Sequence, residues 1–203
     1  MLVWVNGAFG SGKTTLVREL RARLPEALVF DPEEVGVLLA SIVEVPTGDF
    51  QDLRQWRRQV ATLAAGLVEE YRRPLLVPMT LVQPAYRAEI FSALERAGVE
   101  LLHVFLDVPL EVLVRRIQGR TPPHGRSTEQ AFGWVMSKLP ACIAAVDTLP
   151  AGTLVLDGEL PTAALADAVL ARMGGRAAGE PAADGRTADG EAADLSRRTS
   201  LPR

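Results

Sequence analysis

The residues best placed for chemistry stand near the N-terminus, where Gly7-Ala8-Phe9-Gly10-Ser11-Gly12-Lys13-Thr14 fulfils every position of the nucleoside-triphosphate loop pattern. Glycines there let successive backbone N–H groups turn toward one anion, and the N-terminus of a following helix adds its positive dipole end. Lys13 would reach the β- and γ-phosphates of ATP, the Thr14 hydroxyl would coordinate Mg²⁺, and Thr15 completes the set of expected nucleotide contacts. Lys13 and Lys138 are the only lysines, so a chance match to this pattern is improbable in such a chain.

A phosphoryl transfer also needs a group to orient or deprotonate the acceptor and cations to meet developing charge. Among carboxylates that follow apolar runs, Asp31 heads a helix and is the candidate base or outer Mg²⁺ ligand; capping that helix is the structural use it could have instead. Asp107 reads as a cap before Val108-Pro109, and Asp157 belongs to an Asp-Gly turn. Arg115, Arg116, Arg120 and Arg126 cluster around Thr121-Pro122-Pro123-His124-Gly125, with Arg116 and Arg120 favoured as lid residues over ATP and a solvated basic face as the plain alternative. Trp56 and Arg57 could hold an acceptor by stacking and hydrogen bonds, or equally be a core ring and a salt-bridged arginine.

Positioning these groups requires strands that end at one edge. Apolar runs at Leu2–Val5, Ala27–Phe30, Leu75–Met79, Leu101–Leu106 and Thr153–Leu156 read as buried strands. Helical patterns between them run from Lys13 to Leu24, from Pro32 onward, from Asp49 to Arg72, from Ala85 to Ala97 and from Leu110 to Gln118. Another starts at Ser127 and is expected to kink or end at Pro140. Alternating strands and helices, the strands apolar throughout, indicate a parallel sheet covered on both faces.

Composition bounds the remaining possibilities. A net charge of −3 argues against general nucleic-acid binding, although a local basic cleft is compatible with it. One cysteine, Cys142, permits no internal disulfide, and His103 and His124 make no metal cluster, so the expected setting is a reducing cytoplasm. No run approaches the roughly 20 apolar residues of a membrane span. After Met173 the chain turns to Gly, Ala, Asp, Glu and Arg, which divides it into a domain at 1–173 and an expected disordered tail at 174–203. The lysine-bearing guanine motif of signalling GTPases is missing, and the run ending Val77-Pro78-Met79-Thr80 lacks the acids of a motor or ring ATPase.

Together, Trp4-Val5-Asn6-Gly7-Ala8-Phe9-Gly10-Ser11-Gly12-Lys13-Thr14, Phe30-Asp31-Pro32-Glu33, the Trp56-Arg57 pair and Val77-Pro78-Met79-Thr80-Leu81-Val82 resemble the bacterial tunicamycin-resistance ATP-binding proteins, over about residues 2–150. The resemblance implies a three-layer α/β phosphate-loop NTPase, nucleoside-kinase-like, with a five-stranded parallel sheet in the order 2-3-1-4-5. It implies ATP and Mg²⁺ as cofactors and a small-molecule partner, a nucleoside antibiotic that carries uracil, sugars and a fatty acyl chain. Protection could come from phosphorylating the drug or from sequestering it without chemistry, and housekeeping phosphorylation of a nucleoside or sugar metabolite has the same sequence signature. An amphiphilic C-terminal membrane helix has no good counterpart, since Leu160–Met173 is short and Ala-rich.

Overall fold

The computed structural model describes residues 1–119 and 128–177, with side chains through 119 and from 132 to 175. In chain order its elements are β1 (Leu2–Gly7), α1 (Lys13–Arg23), β2 (Leu28–Val29), α2 (Pro32–Ala40), a 3₁₀ turn (Phe50–Asp52), α3 (Arg54–Tyr71), β3 (Leu75–Pro78), α4 (Pro84–Arg96), β4 (Leu101–Asp107), α5 (Leu110–Gln118), α6 (Thr128–Ala144), a second 3₁₀ turn (Ala145–Thr148), β5 (Leu154–Asp157) and α7 (Thr162–Ala177). Strands join in parallel in the order β2-β3-β1-β4-β5, so the five-stranded sheet and its expected order are both present. β1 is central and flanked on both sides, which forces its side chains into the interior on both faces.

Alternation along β1 builds two cores. Leu2 and Trp4 pack with Trp56, Val60, Ile90 and Leu94 of α3 and α4. Val3 and Val5 pack with Leu16, Leu20, Leu165 and Val169 of α1 and α7. A third cluster, Ala8, Val112, Leu113, Leu139 and Cys142, seats α5 and α6 beside the turn that follows β1.

Three boundaries differ from the sequence reading. The third helical segment is a 3₁₀ turn, an extended Leu53, and then α3. Phe50 in that turn lies against Gly36 of α2 so closely that a Cβ at Gly36 would meet its ring at 2.5 Å, a tertiary contact no helical period announces. Pro140 lies inside α6 and does not end it, because Leu139 and Cys142 on either side of it are buried in the third cluster and hold both halves. α7 continues through Gly174-Gly175 to Ala177, past the compositional break, because Met173 is still seated on the core. The remainder of the expected tail, 178–203, lies outside the described residues.

Candidate functional site

The turn after β1 is wound by Gly10 at φ 86° and Gly12 at φ 101°, conformations that disfavour any side chain. Gly10 also approaches α5 so closely that a Cβ would stand 3.0 Å from Ile117. Gly12 is the N-cap of α1 and contributes no side chain to the cap, which leaves the first turn open to an anion. Ser11 is buried and its Oγ has no protein partner, as expected of a cradle that expects an oxygen from a ligand. Thr14 and Thr15 are exposed on the open side of the cradle. These residues fit a nucleoside triphosphate, and the turn offers hydroxyl oxygens, that of Thr14 among them, as hard ligands for a divalent ion.

Lys13 folds back along the loop, its Nζ donating to the carbonyls of Gly7 at 3.0 Å and Ala8 at 2.8 Å. The Gly7 carbonyl also accepts from Thr80 Oγ1 at 2.9 Å, so β3's exit pins the start of the loop. Beneath it, buried Asn6 acts as a bracket. Its Oδ1 accepts from Gly7 N–H at 2.8 Å and Leu81 N–H at 2.9 Å, while Nδ2 donates to the Leu81 carbonyl at 2.8 Å. Asn6 Nδ2 also meets His103 Nε2 at 3.2 Å, and His103 Nδ1 meets Thr153 Oγ1 at 2.9 Å. Because Asn6 Nδ2 can only donate, the neutral imidazole accepts at Nε2 and carries its hydrogen on Nδ1. Burial lowers the His103 pKa to about 3, with the nearby Arg87 charge acting the same way.

After β2, Asp31 caps α2, its Oδ1 accepting from Glu33 N–H at 3.0 Å, and is otherwise exposed. Its capping role is therefore real, and its other oxygen accepts no hydrogen bond among the described residues. Glu33 stands beside it. Desolvation raises the Glu33 pKa, the Asp31 charge acts the same way, and Lys13 pulls the other way. Glu33 escaped the sequence reading as a site residue, although the Asp-Pro-Glu cap could have flagged it.

Trp56 corrects an expectation. Its ring is fully buried among α3, α4 and β1 residues and its Nε1–H donates to the Pro32 carbonyl at 3.0 Å, so it has no free face for a ligand. Arg57 is nearly buried as well, paired through Nε with Glu89 at 2.6 Å, donating to the Gln51 carbonyl, and lying 4.2 Å from the Tyr86 ring centre. Its role is to lock the 3₁₀ turn to α4. Gln51 Nε2 in that turn donates to the Thr80 carbonyl at 3.0 Å, which ties the turn to the residue that pins the loop. Asp49 caps the turn and pairs with Lys138 of α6 at 2.8 Å. Phe9 meets the Trp134 ring edge-on at 5.4 Å, so α6 closes the opposite wall.

Arg116 of α5 joins the loop to the β5 turn, donating to the Ser11 carbonyl at 3.4 Å and the Gly158 carbonyl at 3.1 Å. Arg120 and Arg126 lie outside the described residues. Asp157 makes the expected turn, accepting from Glu159 N–H at 2.9 Å. Asp107 does not cap α5, whose N-cap is Pro109. Cys142, raised in pKa by burial, stays a packing thiol. Among the described residues no cluster of three His, Cys, Asp or Glu could hold a metal.

Comparison with known proteins agrees with this geometry. A family model described as an AAA domain matches residues 2–139. The structure is similar to that of the Deinococcus radiodurans tunicamycin resistance protein, with TM-score 0.66, 28% identity, and coverage of 85% of this chain and 95% of that one. It shares its fold with the Mycobacterium tuberculosis APS kinase solved with AMPPNP and APS, at TM-score 0.58 and 20% identity over 85% of this chain and 96% of that one. The curated adenylyl-sulfate kinase of Myxococcus xanthus (strain DK1622) is 29% identical over 120 residues, 57% of this chain. The chain spans 62% of that relative's length. These relatives are phosphate-loop small-molecule kinases and a resistance protein, and the fold here is the three-layer α/β phosphate-loop NTPase fold.

Proposed function

The chain belongs to the AAA-domain family, and from that premise we propose that it transfers the γ-phosphoryl group of ATP to a hydroxyl of a small molecule, a nucleoside-type antibiotic of the tunicamycin kind being the favoured acceptor. The observation that carries this reading is the phosphate cradle after β1, with Lys13 folded against it, at the same edge of the parallel sheet where Asp31 and Glu33 follow β2 at the head of α2. A water-activating acid at the end of β3, which a dedicated hydrolase needs, is replaced by Met79-Thr80.

In this reading Lys13 leaves the Gly7 and Ala8 carbonyls for the β/γ oxygens, and Arg116 steadies the loop from the nucleotide side. Mg²⁺, when bound, neutralises charge on those oxygens, with Thr14 as the ligand the chain offers. Asp31 orients the acceptor hydroxyl and takes its proton as the new O–P bond forms and the bond to the β-phosphate oxygen breaks, ADP leaving. Glu33 holds negative charge beside it and keeps the acceptor's hydroxyl turned inward. Arg120, as a second cation closing over the transferring group, belongs to the same proposal. Val37, Leu38, Ile42 and Val43, exposed along and after α2, offer an apolar surface suited to an acyl tail.

A second reading, ATP-dependent sequestration without chemistry, draws on Asp31 already being engaged as a helix cap. Asp31→Asn separates the two, since Asn caps a helix as well as Asp and leaves α2 intact. Transfer predicts a rate lower by about 10²–10⁴ with acceptor affinity retained. A variant that protects cells as fully as the parent chain would rule out catalysis at Asp31.

A further inference from the structure

Away from the phosphate mouth, a cavity of about 530 Å³ opens between α4 and the turn at Pro150. α4 presents Arg87, Phe91, Ser92 and Glu95 to it, and Leu101 and Pro150 form the opposite wall. Spacings of three and four residues place these α4 side chains on one helix face. Arg87 is the unusual member: it is 3% exposed, and its guanidinium donates only to the Val82 and Thr148 carbonyls. No carboxylate among the described residues pairs with it, and arginine stays charged, so a buried cation lines the cavity with more N–H donors than its two carbonyl partners use. Buried charges of this kind are ordinarily paired. Burial is also the sole cause acting on its pKa, with no acidic neighbour to offset it.

We propose that this groove is a second ligand site, for a small molecule that joins an oxyanion, carboxylate or phosphate ester, to a flat apolar body. The oxyanion would accept from Arg87 while the flat body lies against Phe91, Leu101 and Pro150. Ser92 and Glu95 fix the polarity of binding. Glu95 lies eight residues along α4 from Arg87, about 12 Å, so it repels an anion from that end and favours a hydrogen-bond donor there. The phosphate cradle does not share this chemistry, having no aromatic wall of the same kind opposite a buried arginine. Phe91 lies edge-on to the His103 ring at 5.0 Å, so an occupant against Phe91 would also be sensed by that imidazole.

The test titrates the full chain with benzoate, phenyl phosphate and the neutral isostere benzamide, reading backbone amide shifts of Ala88, Phe91 and Ser92 by NMR. The site predicts saturable shifts from an oxyanion probe with a dissociation constant of about 1 mM, which about nine non-hydrogen atoms deliver at mid-range efficiency. Response to benzoate alone names a carboxylate ligand, and response to phenyl phosphate alone a phosphate ester. Benzamide should bind at least about tenfold more weakly, the discrimination a charge-assisted hydrogen bond supplies. Ala88→Trp, at an exposed position beside Arg87, should fill the groove and abolish the shifts. Arg87→Met should bring benzoate down to the benzamide level. Equal binding of benzamide, shifts that persist in Ala88→Trp, or no saturation by either oxyanion would each overturn the proposal.

Discussion

Trp56 and Arg57 are adjacent in sequence, yet burial gives them work different from holding a ligand. Both alternatives for the pair were open in the sequence, because an aromatic beside an arginine reads the same whether its ring faces a ligand or a core. With its indole N–H on the Pro32 carbonyl, Trp56 ties α3 to the start of α2. Trp56→Phe should cost about 2 kcal/mol in urea unfolding through a lost hydrogen bond and a small void, with acceptor KM unchanged; a raised KM at unaltered stability would return the ring to the binding site. His103 makes a pH prediction. Its folded pKa of about 3 lies below the unfolded value of 6.5, so between them the unfolded chain binds the proton that the folded chain refuses. Its contribution to stability is full above about 6.5 and declines as pH falls toward 3, by at most about 1.4 kcal/mol per pH unit. His103→Gln should flatten that slope, and identical slopes in the two proteins would show that the imidazole is not held neutral. Buried His103 was legible as a strand residue, whereas its link through Asn6 to Gly7 required the register of β1 against β4.

At the scale of elements, the phosphate loop was fully written in the sequence because its chemistry is local: glycines, a lysine and a hydroxyl at fixed spacing. What positions it was less visible. Thr80, some seventy residues away, holds the Gly7 carbonyl, and only the pairing of β1 with β3 brings them together. Thr80→Val should lower stability by about 1 kcal/mol and weaken MgATP binding, measured by unfolding and calorimetry; unchanged nucleotide affinity would show that the loop holds its shape without β3. The strand and helix order was readable from periodicity. The 3₁₀ turn before α3 was not, since Asp49, Asp52 and Phe50 are held by Lys138, Tyr86 and Gly36 respectively, each on another element. Pro140 shows the same override in reverse, a local helix breaker outweighed by packing on both sides.

For the whole molecule, a parallel sheet with β1 at its centre puts the candidate groups on one side: the strands' C-terminal ends share one edge, where the connections after β1 and β2 lead to Lys13 and Asp31. Among the described residues no helix is long and apolar enough to cross a membrane. The proposed acceptor site is the least local feature, since it would draw on α2, the 3₁₀ turn and α6, which is why the sequence named a substrate class only through resemblance. An acyl tail lying on the exposed α2 surface should make the deacylated nucleoside a poorer substrate, with KM raised about tenfold for a few buried methylenes and kcat little changed; equal KM values would remove the apolar surface from the site. The central claim is phosphoryl transfer, and mass spectrometry after incubating the purified chain with Mg²⁺, ATP and tunicamycin or a panel of nucleosides tests it most directly. The account predicts an acceptor heavier by one phosphoryl group, formed by the parent chain and not by Lys13→Ala. An acceptor pool that stays unmodified while the drug is retained by the protein in the presence of ATP would contradict it.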